Sequence, residues 1–318
     1  MASLLNRLCP ADATVFTLPV GKDWRKAQGR IESLAVTHCV VNGEGTIHHS
    51  AQSEKAAGLL EFIEWSCLRG LKTALINSTL YEVQPSHLMK SSRAHSIVVR
   101  DTKSRCELDG IASRVLVAPD LSLMYRQPTD LPSAAGESNW SVPGPEEARP
   151  LIFTDSVLES VSTNLRAQSE SRETAGRYWP MSVPSAKRNR QSAVRRLRSV
   201  VPGFVIPDRA TRLKHQPTYS FAKADAFRTA LLTSSGLVSG RYHGVAHALA
   251  LKVPFVALSS NTPKIEYMCQ DALSSTERIT NRATDIPWNL SDGEQASLNG
   301  WLTTGGKTWS SWAEDFFS

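Results

Sequence analysis

The residues best suited to chemistry in this chain stand together at Ser239-Gly240-Arg241-Tyr242-His243. An arginine guanidinium grips a carboxylate or phosphate through two parallel N–H bonds, and an imidazole exchanges protons near neutral pH. Arg241 and His243 lie two residues apart, so both can face one ligand. The neighbouring sequence says how they are held. Leu237-Val238 reads as a short strand, and Tyr242, Val245, Ala246, Leu249 and Ala250 recur at the spacing of one buried helix face. Lys252-Val253-Pro254 breaks that helix, and Phe255-Val256-Ala257-Leu258 reads as a buried strand. In such a βαβ unit the Ser239-Gly240 turn brings free N–H groups and the positive end of a helix dipole together, which suits an anion. The plainer alternative is a helix start whose polar residues only cap and hydrate it. His247 follows His243 by four, but Gly244 stands where a zinc site of that spacing needs glutamate. A packed neutral His247 and no metal are expected.

A second candidate turn closes the apolar run Ala35–Val41, which reads as a parallel strand covered on both faces. It is Asn42-Gly43-Glu44-Gly45-Thr46, with His48 and His49 just after it. Ligands of open α/β sheets bind at such carboxyl ends. Glu44 there is a candidate base or hydroxyl-orienting group, with loop bracing as the alternative. Arg100 and Asp101 end another strand, where substrate contact and a structural ion pair explain them equally well. Lys264 follows the strand Phe255–Leu258 and is a candidate anion contact on the side of the Arg241 motif.

The elements that must position these turns alternate along the chain. Expected in the first half are a helix over residues 3–8, a strand Thr14–Leu18, a helix Lys22–Leu34, a helix Ser53–Arg69 ended by Gly70, and strands Thr73–Ile76, Ser96–Asp101 and Val115–Ala118 with a helix from Ser104 to Leu108. This alternation predicts a doubly wound parallel sheet. Gln127–Pro150 is rich in proline, glycine and serine. With 318 residues, two domains of about 150 are the default, here 1–135 and 151–318 about a linker at 136–150. The second is expected to hold a strand Leu151–Thr154, a helix Ala186–Val201, a strand Gly203–Ile206, a helix Ala222–Thr233, the βαβ unit, and a final helix carrying Trp301, Trp309, Trp312, Phe316 and Phe317.

Composition narrows the class. A hydrophobic fraction of 41% and a charged fraction of 21% belong to a globular protein. The formal net charge of +6 favours anionic partners, yet no zinc-finger, RNA-recognition or helix-turn-helix signature accompanies it, so no specific nucleic acid is expected. The basic run Lys187, Arg188, Arg190, Arg195, Arg196 and Arg198 reads first as a solvated helix face, with a surface for anionic glycan or lipid-linked diphosphate as the alternative. The five cysteines are scattered, without zinc-ligand spacing, as expected of reduced thiols in the cytoplasm. No apolar run approaches the ~20 residues of a membrane span, and Met1–Pro10 does not read as a signal peptide.

Followed by Ala248-Leu249-Ala250 and Pro254, the stretch Ser239-Gly240-Arg241-Tyr242-His243-Gly244 resembles the polysaccharide pyruvyl transferase family. Asn42–Thr46 resembles the family's glycine-rich turn, Val99-Arg100-Asp101 with Ser104 its arginine-aspartate-x-x-serine segment, and Ala118-Pro119-Asp120 its proline-aspartate strand end. Asn261 and Lys264-Ile265-Glu266 look like the segment after the later strand. The resemblance implies an α/β protein of two Rossmann-like domains facing a cleft (GT-B-like), the first lacking the opening strand with which members usually begin. It implies transfer of a pyruvyl group from phosphoenolpyruvate to a saccharide or glycan precursor as a ketal, with no cofactor. His243 and Glu44 are then the catalytic candidates. Ser239, Gly240, Arg241 and Lys264 are the donor-binding ones, and Gly43, Gly45, Thr46, His48 and Arg100 the acceptor contacts. The first domain takes the acceptor side and the second the donor side, with peripheral contact to lipid-linked glycan as a further partner. A nucleotide-sugar glycosyltransferase and a non-catalytic family member remain as alternatives, and the oligomeric state is left unspecified.

Overall fold

The computed structural model describes residues 8–18, 23–45, 47–124, 149–171, 176–181, 217–280 and 289–318. A 3-10 turn at Trp24–Ala27 leads into α1 (Gln28–Ser33), β1 (His38–Asn42), α2 (Glu54–Leu68), β2 (Lys72–Ser78), α3 (Pro85–Leu88), β3 (Ser96–Val99), α4 (Thr102–Cys106) and β4 (Val115–Val117). Then follow β5 (Leu151–Ser156), α5 (Glu159–Ser169), β6 (Arg177–Trp179), α6 (Pro217–Leu232), β7 (Gly236–Gly240), α7 (Tyr242–Leu251), β8 (Phe255–Ala257), α8 (Lys264–Leu273) and α9 (Asp292–Phe317). Two parallel sheets of four strands result, ordered β1-β2-β3-β4 and β6-β5-β7-β8. The chain is thus the expected α/β protein with two Rossmann-like sheets.

Each sheet anchors its own compact unit. In the first, successive strand residues point to opposite faces. Leu75, Ile97 and Val99 pack with Leu60 and Ile63 of α2, while Ala74, Ile76 and Val98 pack with Trp309, Trp312 and Phe316 of α9. Ser53 caps α2 by accepting the Ala56 N–H at 3.3 Å, and Gly70 beyond its end takes the left-handed φ of +75°. The indoles of α9 also tie it down: Trp312 Nε1–H donates to Ser96 Oγ and Trp309 Nε1–H to the Pro119 carbonyl, both at 2.9 Å.

That docking corrects the expected boundary, because Thr262–Ile279 and Leu290–Ser318 join the unit of the first sheet rather than staying with the second. A parallel sheet needs cover on both faces. The first half of the chain supplies α2 for one, and the aromatic tail supplies the other. Two smaller corrections concern the N-terminal region. Thr14–Leu18 forms no strand; Val15 and Phe16 are 47% and 53% exposed, with no ladder partner among the described residues. β1 starts at His38 rather than Ala35, whose φ of +47° breaks the extended run.

In the second unit, Phe153 of β5 and Val238 of β7 pack with Leu165 of α5 and with Leu258. β5 and β7 pair in parallel, with a register shift between Phe153 and Ser156, and end with Ser156 opposite Gly240, which brings their carboxyl ends side by side. Residues 3–7, Thr46, residues 136–148 of the linker, the expected helix Ala186–Val201 with its basic run, and the strand Gly203–Ile206 lie outside the described residues.

Candidate functional site

Arg241 is the N-cap residue of α7, extended at φ −116° and ψ 128°, and its side chain does not cap the helix. The guanidinium turns instead toward β5, where Nη2 donates to Asp155 Oδ2 at 2.6 Å. Asp155 is only 3% exposed, and its other oxygen accepts the Met181 N–H at 2.8 Å. Arg241 keeps 23% of its side chain exposed, while its Nε is buried and has no hydrogen-bond partner among the described residues. The result is a guanidinium fixed at one corner with N–H groups left over, beside a helix start whose first amides have no intrahelical acceptor.

The small residues around it are there for fit. A side-chain carbon on Gly240 would lie 2.6 Å from Ser156 Cβ, and one on Gly244 would overlap Ser239 Oγ. Ser239 is fully buried; its hydroxyl accepts the Arg241 N–H at 3.0 Å and shares a 2.7 Å hydrogen bond with Thr154. Ser239 therefore braces the turn from inside. His243 follows in the first turn of α7, half-buried, its ring edge-on to Tyr242. His247 packs inward against Phe227, with ring centroids 5.9 Å apart, as its expected packing role requires.

Asp155 is the residue that the sequence reading passed over. Its signal was available: a carboxylate directly after the apolar run Leu151-Ile152-Phe153 is a charge at the carboxyl end of a buried strand. Tyr178 on β6 joins the same group. Its phenol is pushed up by burial and then by the Asp155 charge, against the pull of Arg166 and Arg241.

The turn after β1 is equally constrained. Gly43 has no room for a side chain, which would overlap Ser78 Oγ, whereas Gly45 is needed for its φ of +57°. Asn42 Oδ1 accepts the Glu44 N–H at 3.3 Å and the Asn77 amide at 3.2 Å, which ties the turn to the end of β2. Glu44 is half-buried on this turn. His48 and His49 face one another, Nδ1 to Nδ1 at 2.7 Å. His49 Nε2 lies 3.1 Å from Glu82 Oε2. His48 is held below its ordinary value by burial first, then by His49 and by Lys264, with the Gly45 carbonyl opposing. Lys264, expected beside Arg241, opens α8 in the first unit, where its charge reaches His48.

Arg100 has another occupation. It is 2% exposed, donates from Nη1 to Asp120 Oδ2 at 2.6 Å and from Nε to Thr79 Oγ1 at 3.1 Å. Asp101 caps α4, accepting the Ser104 N–H at 2.7 Å and the Thr79 hydroxyl at 3.0 Å. Burial pushes its carboxyl up, against those bonds and the neighbouring Arg100. The arginine-aspartate-x-x-serine segment thus locks the ends of β2, β3 and β4 together, and Arg100, an expected acceptor contact, is an internal tie in this structure.

The model of the polysaccharide pyruvyl transferase family matches residues 3–262. The chain belongs to this family. That makes it a transferase of polysaccharide biosynthesis, acting on a saccharide acceptor. Compared with curated proteins one by one, the chain finds no match. The family match covers both candidate turns, at Gly43–His49 and at Ser239–His243. No helix among the described residues is long and apolar enough to cross a membrane.

Proposed function

We propose that this family member moves the pyruvyl group of phosphoenolpyruvate onto two hydroxyls of a saccharide or glycan precursor. Phosphoenolpyruvate carries a carboxylate and a phosphate, and its site must answer both with cationic or N–H-rich groups. The observation that carries the reading is the Arg241 guanidinium: one nitrogen is fixed by Asp155, Nε is buried without a partner among the described residues, and the head of α7 lies beside it. In this reading the second unit takes the donor at Ser239–His243 and the first takes the acceptor at the turn after β1.

His243 gives a proton to the methylene carbon, and the electron-poor C2 accepts the first sugar hydroxyl. Phosphate departs as the C2–O bond breaks, with Arg241 and the helix start neutralising its charge. The second hydroxyl then closes the ketal. Of the two hydroxyl protons, one replaces that given by His243 and the other leaves with phosphate. Glu44 is the second acid/base candidate. No electron is transferred, so the reaction calls for no redox cofactor. Free cysteines support a cytoplasmic setting in this reading, where a lipid-linked glycan precursor would be met at the membrane surface.

Calorimetry with phosphoenolpyruvate tests this. Arg241→Lys keeps the charge but loses the planar fork, and a lost bidentate contact of about 2–3 kcal/mol weakens binding by about 30- to 150-fold. His243→Gln keeps donor affinity while turnover falls about a hundredfold or more. Binding of a UDP-, GDP- or CMP-sugar in place of phosphoenolpyruvate would overturn the reading.

A further inference from the structure

α8 reaches the first unit from the far end of the chain, and it lies across the carboxyl edge of the first sheet. It buries Ile265, Met268, Cys269, Ala272 and Leu273 in one stripe. Lys264, Tyr267 and Asp271 recur at three and four along the border of that stripe, and all three are half-buried. Asp271 fixes where this border points. Its Oδ2 accepts the Thr102 N–H at 2.7 Å and the Thr102 hydroxyl at 3.2 Å, at the start of α4 just beyond β3.

Helix rise then places the rest. Lys264 stands seven residues before Asp271, about 10 Å along the axis at about 1.5 Å per residue. From β3 across β2 to β1 is two strand spacings, again about 10 Å. α8 therefore spans the strand ends, with Asp271 at β3, Tyr267 at β2 and Lys264 at β1. The charges agree with this order. Lys264 acts on His48, which follows β1. Tyr81, which follows β2, is pushed up by its hydrogen bond to Glu82 and by that charge, then by burial and by Tyr267. Tyr267 itself is pushed up by burial first, then by Asp101 beyond β3 and by Glu107 and Glu266.

Alongside α8 runs the segment 48–50, paired with 81–82. His48 bridges to Tyr81, the His49 N–H donates to the Tyr81 carbonyl at 3.0 Å, and the Ser50 N–H to that of Glu82 at 3.2 Å. The Tyr81 ring stands edge-on to His49 at 5.3 Å and is only half-buried. His49 and Glu82 take left-handed backbone angles, φ +49° and +50°, that non-glycine residues rarely adopt and that collect at functional sites. A sugar presents an apolar C–H face and a rim of hydroxyls. An aromatic ring with a few polar groups around it answers both.

We propose that the acceptor saccharide lies along this strip of the first unit, stacked on Tyr81, with hydroxyls held by Lys264 and Tyr267 of α8. The proposal rests on the reading that the first unit takes the acceptor, and it requires no bound donor. Lys264, a donor contact by its sequence pattern, becomes an acceptor contact here. Its ammonium and the Tyr267 phenol, which stays protonated at neutral pH, both offer hydrogens to sugar oxygens.

The test uses the full chain with 13C-labelled tyrosine and 15N-labelled histidine, titrated with a panel of methyl hexopyranosides in the absence of phosphoenolpyruvate. Tyr81→Phe, Tyr267→Phe, His48→Gln and His49→Gln assign the signals. At least one hexoside should move the Tyr81 and Tyr267 ring signals and receive saturation from the protein on its C–H protons. Tyr81→Ala should weaken that hexoside about tenfold, whereas Tyr81→Phe, which keeps the ring face, should cost less than about threefold. Lys264→Met should weaken it about tenfold. Tyr81 and Tyr267 silent across the panel overturn the proposal. If the two histidines move while both tyrosines stay silent, the acceptor sits on the turn after β1 without α8, and only the contacts proposed here fall. If the hexosides move Tyr178 of the second unit instead, the placement of the acceptor on the first unit falls as well.

Discussion

Replacing Asp155 with asparagine asks how firmly Arg241 is held. The two side chains have the same shape, and asparagine Oδ1 can keep the Met181 N–H that Asp155 accepts at 2.8 Å. Its amide nitrogen must then face Arg241 Nη2, donor against donor, where the wild type has a 2.6 Å charge-assisted bond. Such a bond contributes about 1.5–3 kcal/mol, and stripping a fully buried ion of its partner costs about 3–5 kcal/mol. Asp155 is 4% exposed at its side chain but Arg241 is 23% exposed, so water replaces part of what is lost. The expected loss is therefore about 2–3 kcal/mol, or a fall of about 4–12 °C in the melting of the second unit. Scanning calorimetry at pH 7.5 measures it. The Tyr178 phenol gives a local check: burial remains, but the Asp155 charge that also raises it is gone, so its absorbance titration moves to lower pH. Bound phosphoenolpyruvate should stabilise Asp155→Asn more than wild type, since the donor's anion replaces the missing carboxylate. A loss below about 0.5 kcal/mol with an unmoved Tyr178 titration would refute the view that Asp155 positions Arg241.

Two further expectations concern the first unit. Arg100→Met leaves Asp120 fully buried without its cation and should cost about 3–5 kcal/mol in urea unfolding, most of it recovered in Arg100→Met with Asp120→Leu. His38 is held below its ordinary value by burial, then by Lys72 and by His95, with the Phe316 carbonyl opposing. The unfolded chain therefore takes up the proton first as pH falls. Stability is full above about pH 7 and declines as pH drops below the unfolded value near 6.5 toward the lowered folded one, and His38→Gln should flatten that slope in pH-dependent melts.

The sequence by itself determined the local units. Apolar runs of strand length gave β1, β2, β3, β5, β7 and β8, and three-and-four spacing gave α2 and α7, because these periods follow from backbone geometry alone. The Arg241 turn was legible for the same reason, since a strand, a tight turn and a helix start need no distant partner to bring Ser239, Arg241 and His243 together. Partnership across the chain was decided only by tertiary structure. Which face the aromatic tail covers depends on which sheet lacks a second layer, and that is a property of the packed molecule. Arg100 became an internal tie because Asp120 and Thr79, about twenty residues away on either side, converge on it when β2, β3 and β4 align. Asp155 and Glu82 are ordinary carboxylates in the sequence. They acquire partners because parallel pairing puts the end of β5 beside the end of β7, and because residues 48–50 run alongside 81–82. Hydrophobic pattern fixes where a side chain can be buried, but a buried charge is interpretable only once the group opposite it is known.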